Sequence, residues 1–443
     1  MTMRFTSGRA ASVLATQASI GWPATSISAL NGSPKCSASG STPGRCPARR
    51  ITVKAELIII VPCQPKAASA RNADVNSHMV IMNISSVPGV RSIGTNPTPI
   101  WGMSSTERLR RMAAAQKLRY REDGNGPVLL VAASHVFEPA WLKFMLDRPG
   151  QVLTLDGEKV IAHLPSDTGN GFPEGLTEVR VEDNRTFYNA ALRKREEPVI
   201  ARLDPGTVKA IERKTYFGAY KGVTDILTKY LWPEWALVLT RIAAKIGMSP
   251  NQVTAIGAAL CLLATWLFWI GEYGWGMAAG LVFMVLDTVD GKLARCTITS
   301  SEWGNVFDHG VDLIHPPFWW WAWGVGLSHW GLAYTHLEFT LVMIAIVGGY
   351  VVQRAIEGAF IRRFNGMHIH VWEKIDSDFR LITARRNPNM VILFVATLFG
   401  RPDIGLIAVA VWTVLSCLFH AVRLVQALRR RRRGVKIRSW LTV

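Results

Sequence analysis

The chain has 443 residues, enough for two or three domains, and a formal net charge of +18 from 50 Lys and Arg against 32 Asp and Glu. That balance suits nucleic acid, a membrane surface or anionic substrates. The long apolar runs after about residue 250, rich in Trp, Phe and Gly, read as membrane spans and set nucleic acid aside. The six cysteines (Cys36, Cys46, Cys63, Cys261, Cys296 and Cys417) have no CxxC spacing and no paired framework, so they read as reduced thiols rather than a zinc site or disulfide scaffold.

Residues 1–102 are rich in Ser, Ala, Gly, Pro and Thr, and their one apolar run, "ELIIIVP", is too short to span a bilayer. Such a segment buries too little surface to offset its ordering entropy, so it reads as disordered and low in complexity. It lacks the layout of a signal peptide, and Met103 offers an alternative start. Residues 103–205 read as a small α/β domain. "GPVLLVAA" is a buried strand, "EPAWLKFML" a short helix with Pro139 in its first turn, and "QVLTLDGEKVIAHL" a hairpin turning at Asp156-Gly157. From 209 to 246, Tyr216, Tyr220, Val223, Ile226, Leu227, Tyr230 and Leu231 recur near helical spacing with lysines between them, broken by "LWPEW". This predicts an amphipathic helix, lying on a membrane surface or packed on its own core.

Six spans are predicted near 252–270, 275–293, 304–326, 337–356, 388–402 and 404–426. Lys and Arg cluster at Arg295, in "RRFNGMHIHVWEKIDSDFRLITARRN" and in the tail "RRRRRGVKIR", while the opposite loops carry only Arg401. The positive-inside rule then places both termini in the cytoplasm, with the basic tail, residues 431–443, touching anionic lipid. The expected fold is mainly α: a six-transmembrane-helix bundle over 209–430, preceded by the amphipathic surface helix and the small α/β cytoplasmic domain.

Within the most apolar half lies "VLDTVDGKLARCTITSSEWGNVFDHGVDLIHPPF", residues 285–318, with four aspartates. Asp287, Asp290, Gly291 and Ala294 share one face at the end of the second span. Gly304, Asp308 and Asp312 share one face at the start of the third. The connection between them is short, so two carboxylate pairs converge at the cytoplasmic boundary of the membrane. Each Asp costs roughly 2.5–3.5 kcal/mol at a membrane centre. One arginine, Arg295, cannot neutralise four negatives, whereas hard divalent cations with oxygen ligands can. A buried charge network or an ion pathway would also use these acids, but neither needs the small residues Gly291, Ala294 and Gly304 on the same faces. Pro316-Pro317 is expected to kink the third span. His309 and His315 lie nearby without the spacing of a metal pair.

The pattern D-x-x-D-G-x-x-A-R-x8-G-x-x-x-D-x-x-x-D is complete at Asp287, Asp290, Gly291, Ala294, Arg295, Gly304, Asp308 and Asp312. It resembles the CDP-alcohol phosphotransferase family of integral membrane enzymes, over about residues 210 to 430. The resemblance implies transfer of a phosphoalcohol group from a CDP-linked donor, CDP-diacylglycerol or a CDP-polyol, to an acceptor hydroxyl, with release of CMP. It implies two ions per site, Mg²⁺ or Mn²⁺, held by Asp287, Asp290, Asp308 and Asp312, with Asp312 also the base for the acceptor proton. It implies contacts to the CDP moiety from Gly291, Ala294, Arg295 and Ser301, with Asn251 and Thr254 of "SPNQVT" beside them. It also implies membrane lipids as surroundings and a homodimer formed through the membrane domain. Among Arg354, Arg362, Arg363, Arg385 and Arg386, some would bind an acceptor phosphate, although topology alone accounts for positive charge there. The upstream segment is similar to the middle of a nucleotidyltransferase-like domain. It lacks a recognisable Gly-rich nucleotide loop and has Ser134 where an acid is expected, so it reads as a truncated, inactive remnant. A membrane ion-binding or transport protein using the same acids is the alternative.

Overall fold

The computed structural model describes residues 87–442, apart from 123–125, 168, 170, 185, 190 and 191. Its first part is a sheet with helices. The sheet strands are β1 (Gly89–Ile93), β2 (Arg119–Tyr120), β3 (Val128–Ala132), β5 (Gln151–Leu155), β6 (Glu158–Leu164) and β7 (Thr177–Arg180), in the order β2-β1-β3-β6-β5-β7. The short β4 (His135–Phe137) lies outside it and pairs antiparallel with β10 (Ile200–Arg202). Every residue of β3 is buried because both sheet faces are covered. Leu129 and Val131 pack with residues of α1 (Ser105–Ala115) and α2 (Pro139–Leu146). Val128 and Leu130, one pleat away, pack on the other face with Val152, Ala162 and Leu164. The β5–β6 turn has Asp156 and Gly157 both at positive φ, +50° and +81°, as a two-residue hairpin requires.

The boundary expected at 102/103 cuts through this unit. β1 lies between β2 and β3, parallel to both, and Ile100 and Trp101 are buried. "GVRSI" has little strand propensity of its own, and its ladder partners supply what the local sequence lacks. The run "ELIIIVP" lies outside the described residues.

The segment 209–246, expected as an amphipathic helix broken at "LWPEW", is three helices, α3 (Val208–Gly218), α4 (Ile226–Tyr230) and α5 (Pro233–Lys245), with a further break ahead of the expected one. The first break is imposed from outside. A Cβ on Gly222 would meet the Arg193 carbonyl oxygen at 2.7 Å and the Lys194 Cβ at 2.8 Å, so the chain passes here pressed against the hairpin of β8 (Phe187–Asn189) and β9 (Lys194–Glu196). Asp225 then caps α4, accepting from the Thr228 N–H at 3.0 Å. Tyr216 is buried, whereas Trp235, Leu239, Ile242 and Ile246 form an exposed apolar stripe at and just beyond α5. The surface suited to a membrane interface therefore belongs to α5 rather than to the tyrosine helix.

The remaining helices are α6 (Pro250–Trp269), α7 (Tyr273–Cys296), α8 (Glu302–Gly326), α9 (His336–Met343), α10 (Gly349–Arg363), α11 (Lys374–Arg380), α12 (Arg386–Leu398) and α13 (Pro402–Arg432). A π-helical stretch, Ile344–Gly348, joins α9 to α10. Among the described residues, three helices are long and apolar enough to cross a membrane: α6, the continuous helix His336–Arg363, and α13. Their outward faces are apolar, with Leu262 and Trp266 on α6 and Val411, Leu415, Leu418 and Val422 on α13 exposed. Faces of this kind need a lipid solvent, and the protein is an integral membrane protein. α8 continues through Pro316 and Pro317. Pro317 cannot donate to the Leu313 carbonyl, and the Tyr350 hydroxyl donates to it instead at 3.0 Å.

The basic tail is partly engaged. α13 carries the first arginines to Arg432, and the chain after it folds back, with the Trp440 N–H donating to the Trp372 carbonyl at 3.0 Å. Arg423 pairs with Asp376 at 2.6 Å and with Glu373 at 2.5 Å.

Candidate active site

α6 packs against both α7 and α8, and the short connections 270–272 and 297–301 reverse the chain between successive helices. Asp287 on α7 and Asp308 and Asp312 on α8 each bring one carboxylate oxygen within 4.8 Å of the others. Helical spacing explains the arrangement, since Asp308 and Asp312 are one turn apart on the face of α8 turned toward Asp287. Asp290 is turned aside. Its Oδ2 accepts from the Thr254 hydroxyl at 2.6 Å, and its Oδ1 accepts from the Gly291 N–H. Thr254, expected beside the CDP group, thus holds an aspartate.

Arg386, at the start of α12, faces the three carboxylates. Its Nη1 donates to Asp312 at 2.6 Å and its Nη2 to Asp287 at 2.8 Å, while Nε donates to Asn387 at 2.9 Å. The bidentate geometry of a guanidinium suits this bridge. Arg386 bridges two of the three carboxylates, and their all-oxygen donor set fits a hard divalent ion.

The other predicted residues surround this cluster. Ser301 caps α8, its hydroxyl accepting from the Gly304 N–H at 3.0 Å. A Cβ on Gly304 would meet Asn251 Oδ1 at 2.7 Å, so the small residue there serves the close approach of the α6 start to α8. At Gly291 the nearest neighbour is the Arg295 guanidinium, 3.3 Å from a Cβ position. Arg295 Nε is buried without a partner among the described residues. Ala294 is half-buried and its carbonyl accepts from the Thr299 N–H at 2.9 Å. His309 sits at the surface, and His315 is packed edge-on against Phe283 and Trp319, with Nδ1 2.7 Å from the Val311 carbonyl.

A cavity of about 410 Å³ opens beside the cluster. Asp287 and Asp312 line one side, and Arg354, Arg380 and Arg385 line another. Glu357 holds Arg385 at 2.6 Å and Arg354 at 3.1 Å, and also meets His370 at 3.2 Å. Five guanidinium nitrogens remain buried without partners among the described residues: Arg354 Nε and Nη2, Arg380 Nε and Nη1, and Arg385 Nε. Buried donors in this number call for an anion. Burial, then the nearby Arg193 and Arg295, push the Lys221 ammonium down to about 8. Burial would raise the Asp225 carboxyl, but Arg380 and the hydrogen bonds from Thr228 and Asn387 outweigh it and hold it low.

Reading the sequence missed two contributions. Arg386 was one of several loop arginines open to either a phosphate or a topology role, and nothing local marked it as the counter-ion of two aspartates. Lys221 reads as the polar face of a helix that the structure breaks at that point.

A carboxylate triad on packed apolar helices, beside a cavity lined by arginines with unpartnered nitrogens, can hold a metal ion next to an anionic substrate. Residues 247–383 match the CDP-alcohol phosphatidyltransferase family. That match covers 137 of the 443 residues, and the members of that family are transferases of phosphate-containing groups. It is 27% identical over 194 residues to an archaetidylinositol phosphate synthase of Pyrococcus horikoshii, covering 43% of this chain and 89% of that one. It is 33% identical over 131 residues to a cholinephosphotransferase 1 of Gallus gallus, covering 27% of this chain and 37% of that one. Among solved structures, a phosphatidylinositol phosphate synthase of Mycobacterium tuberculosis with CDP-DAG bound aligns at 20% identity, over 43% of this chain and 92% of that one, with a TM-score of 0.32.

Proposed function

We propose that the protein transfers a phosphoalcohol group from a CDP-linked donor to an acceptor that itself carries a phosphate, releasing CMP in phospholipid or polyol-phosphate synthesis. The carrying observation is the cavity's pairing of two chemistries: carboxylates within 4.8 Å of one another on one side and arginines with five unpartnered nitrogens on the other. The likeness to an archaetidylinositol phosphate synthase favours an inositol phosphate acceptor. The donor is CDP-diacylglycerol or a CDP-polyol.

In this reading Asp287, Asp308 and Asp312 hold Mg²⁺ or Mn²⁺, and Asp290 joins a second ion by turning from Thr254. The bound metal would supply Lewis-acid stabilisation of the charge that develops on the departing CMP phosphate. Asp312, the most exposed of the Arg386-bridged pair, takes the acceptor's hydroxyl proton; at 43% side-chain exposure it can be reached from the cavity. Arg295 and Ser301 meet the CDP moiety, with Gly291 and Ala294 leaving space for it and Asn251 fixing the loop. Arg354, Arg385 and Arg386 orient the acceptor phosphate. Six helices, α6 to α8, the α9–α10 helix, α12 and α13, cross the membrane with both termini and the site on the cytoplasmic side, and two copies pair through this domain.

The test is CMP release by purified protein in lipid with Mg²⁺ or Mn²⁺, offering CDP-diacylglycerol or a CDP-polyol with inositol phosphate, glycerol phosphate or free alcohols. Asp312→Asn should lower turnover by roughly 10²–10⁴-fold. Metal-independent CMP release, or full activity in Asp312→Asn, would overturn the assignment.

A further inference from the structure

The cavity is not built by the transferase domain alone. The upstream α/β unit is docked on the end of α7, the helix that carries Asp287. Arg108 of α1 is buried, and its Nη1 donates to the Cys296 carbonyl at 3.0 Å. Arg111 donates to the Thr297 carbonyl at 3.1 Å. These carbonyls are the unsatisfied acceptors of the α7 C-terminus, where positive charge is favoured. The β8–β9 hairpin then reaches the cavity. The Gly222 N–H donates to the Leu192 carbonyl at 2.8 Å, Lys194 donates to the Gly218 carbonyl, and Arg195 donates to the Leu441 carbonyl at 3.1 Å. Between these anchors Arg193, at φ +53°, turns its side chain into the cavity wall, with Nη2 3.3 Å from His368 Nε2.

Arg193 adds a positive charge where like charges already gather. It acts electrostatically on Lys221, His368 and Arg380. Arg380 keeps two buried nitrogens without partners among the described residues. Burial and then Arg193 push the His368 imidazole down to about 4, so it stays neutral and adds no charge of its own. A phosphate held by the unpartnered nitrogens of Arg354, Arg380 and Arg385 would lie in the cavity whose wall Arg193 also lines. We propose that the α/β unit, through Arg193, supplies a binding residue for a substrate phosphate in this cavity, so that the unit is part of the active site. This rests on the transferase reading above. It replaces the inert-remnant reading of the upstream segment with a structural and substrate-binding role that requires no nucleotidyl transfer.

The test uses the full chain in lipid nanodiscs with Arg193→Ala, Arg193→Lys and Gly222→Ala. The last keeps every charge but sets a Cβ 2.7 Å from the Arg193 carbonyl oxygen. Initial rates of CMP release are measured with each substrate varied in turn. Arg193→Ala should raise one KM by about tenfold or more while kcat changes less than about threefold, as loss of one charge-assisted contact predicts. Arg193→Lys should recover part of this, and Gly222→Ala should shift the same KM. A rise in the acceptor KM, absent for an acceptor without phosphate, assigns the acceptor phosphate. A rise in the donor KM assigns the donor pyrophosphate. If neither KM moves, or only kcat falls, the hairpin is merely structural and the proposal is overturned. If the wild type releases no CMP, the transferase reading fails separately. Calorimetric titration with inorganic phosphate then decides on Arg193: about tenfold weaker binding in Arg193→Ala supports its role, and equal binding refutes it.

Discussion

Arg386 offers a direct test of how the aspartate cluster is balanced. Its side chain is 11% exposed and bridges Asp287, 18% exposed, and Asp312, 43% exposed. Breaking a fully buried pair by removing one partner costs about 3–5 kcal/mol, because a charge is left without compensation. Water reaches Asp312 and screens part of that loss, so Arg386→Ala should cost about 2–3 kcal/mol in metal-free protein. For a chain of this size that is a fall in Tm of roughly 3 °C. A divalent cation supplies the missing charge. At about 100-fold over its Kd it returns about 2.7 kcal/mol, so millimolar Mg²⁺ or Mn²⁺ should recover most of the fall. The wild type should gain less from metal, since the ion there must first displace the guanidinium. The assay is thermal unfolding in detergent, with chelator and with added metal. A variant as stable as wild type in chelator, or a deficit that metal leaves unchanged, would refute the balance described here.

Glu138, at the docking surface of the α/β unit, gives a pH signature. Burial raises its carboxyl to about 7, so the folded protein binds a proton more tightly than the unfolded chain. The stability it contributes is fully present below the ordinary carboxylate range near 4.5 and is lost as pH rises through about 7. The change is of order 3 kcal/mol. Glu138→Gln keeps an oxygen for the Val199 N–H and should flatten the unfolding profile between those limits; an unchanged slope would show that another group titrates there. On α13, Arg423→Ala strands Asp376, which is 2% exposed, and should cost about 3 kcal/mol. Arg423→Ala with Asp376→Asn should recover a good part of that, read as a coupling energy in a double-mutant cycle, and strict additivity of the two losses would deny the pair its importance.

The sequence by itself determined what depends on near neighbours. The Asp156-Gly157 turn follows from two residues that tolerate positive φ, and Pro139 starts α2 because its ring and missing N–H suit a first turn. The shared faces of Asp287 on α7 and of Asp308 and Asp312 on α8 follow from helical periodicity, and the short connection brings them together. Apolar length marks the helices α6, α9–α10 and α13.

Tertiary structure alone decided what depends on distant partners. β1 is a strand because β2 and β3 flank it, and the helix expected ahead of "LWPEW" breaks early, where Gly222 is pressed against Arg193. Arg386 meets its two aspartates across 74 and 99 residues, and Arg193 meets His368 across 175. A charged side chain in the sequence carries no mark of its eventual partner, since loop arginines also suit a membrane's positive side. Only the packing that places opposite charges within hydrogen-bond reach, and excludes water around them, turns those residues into a site.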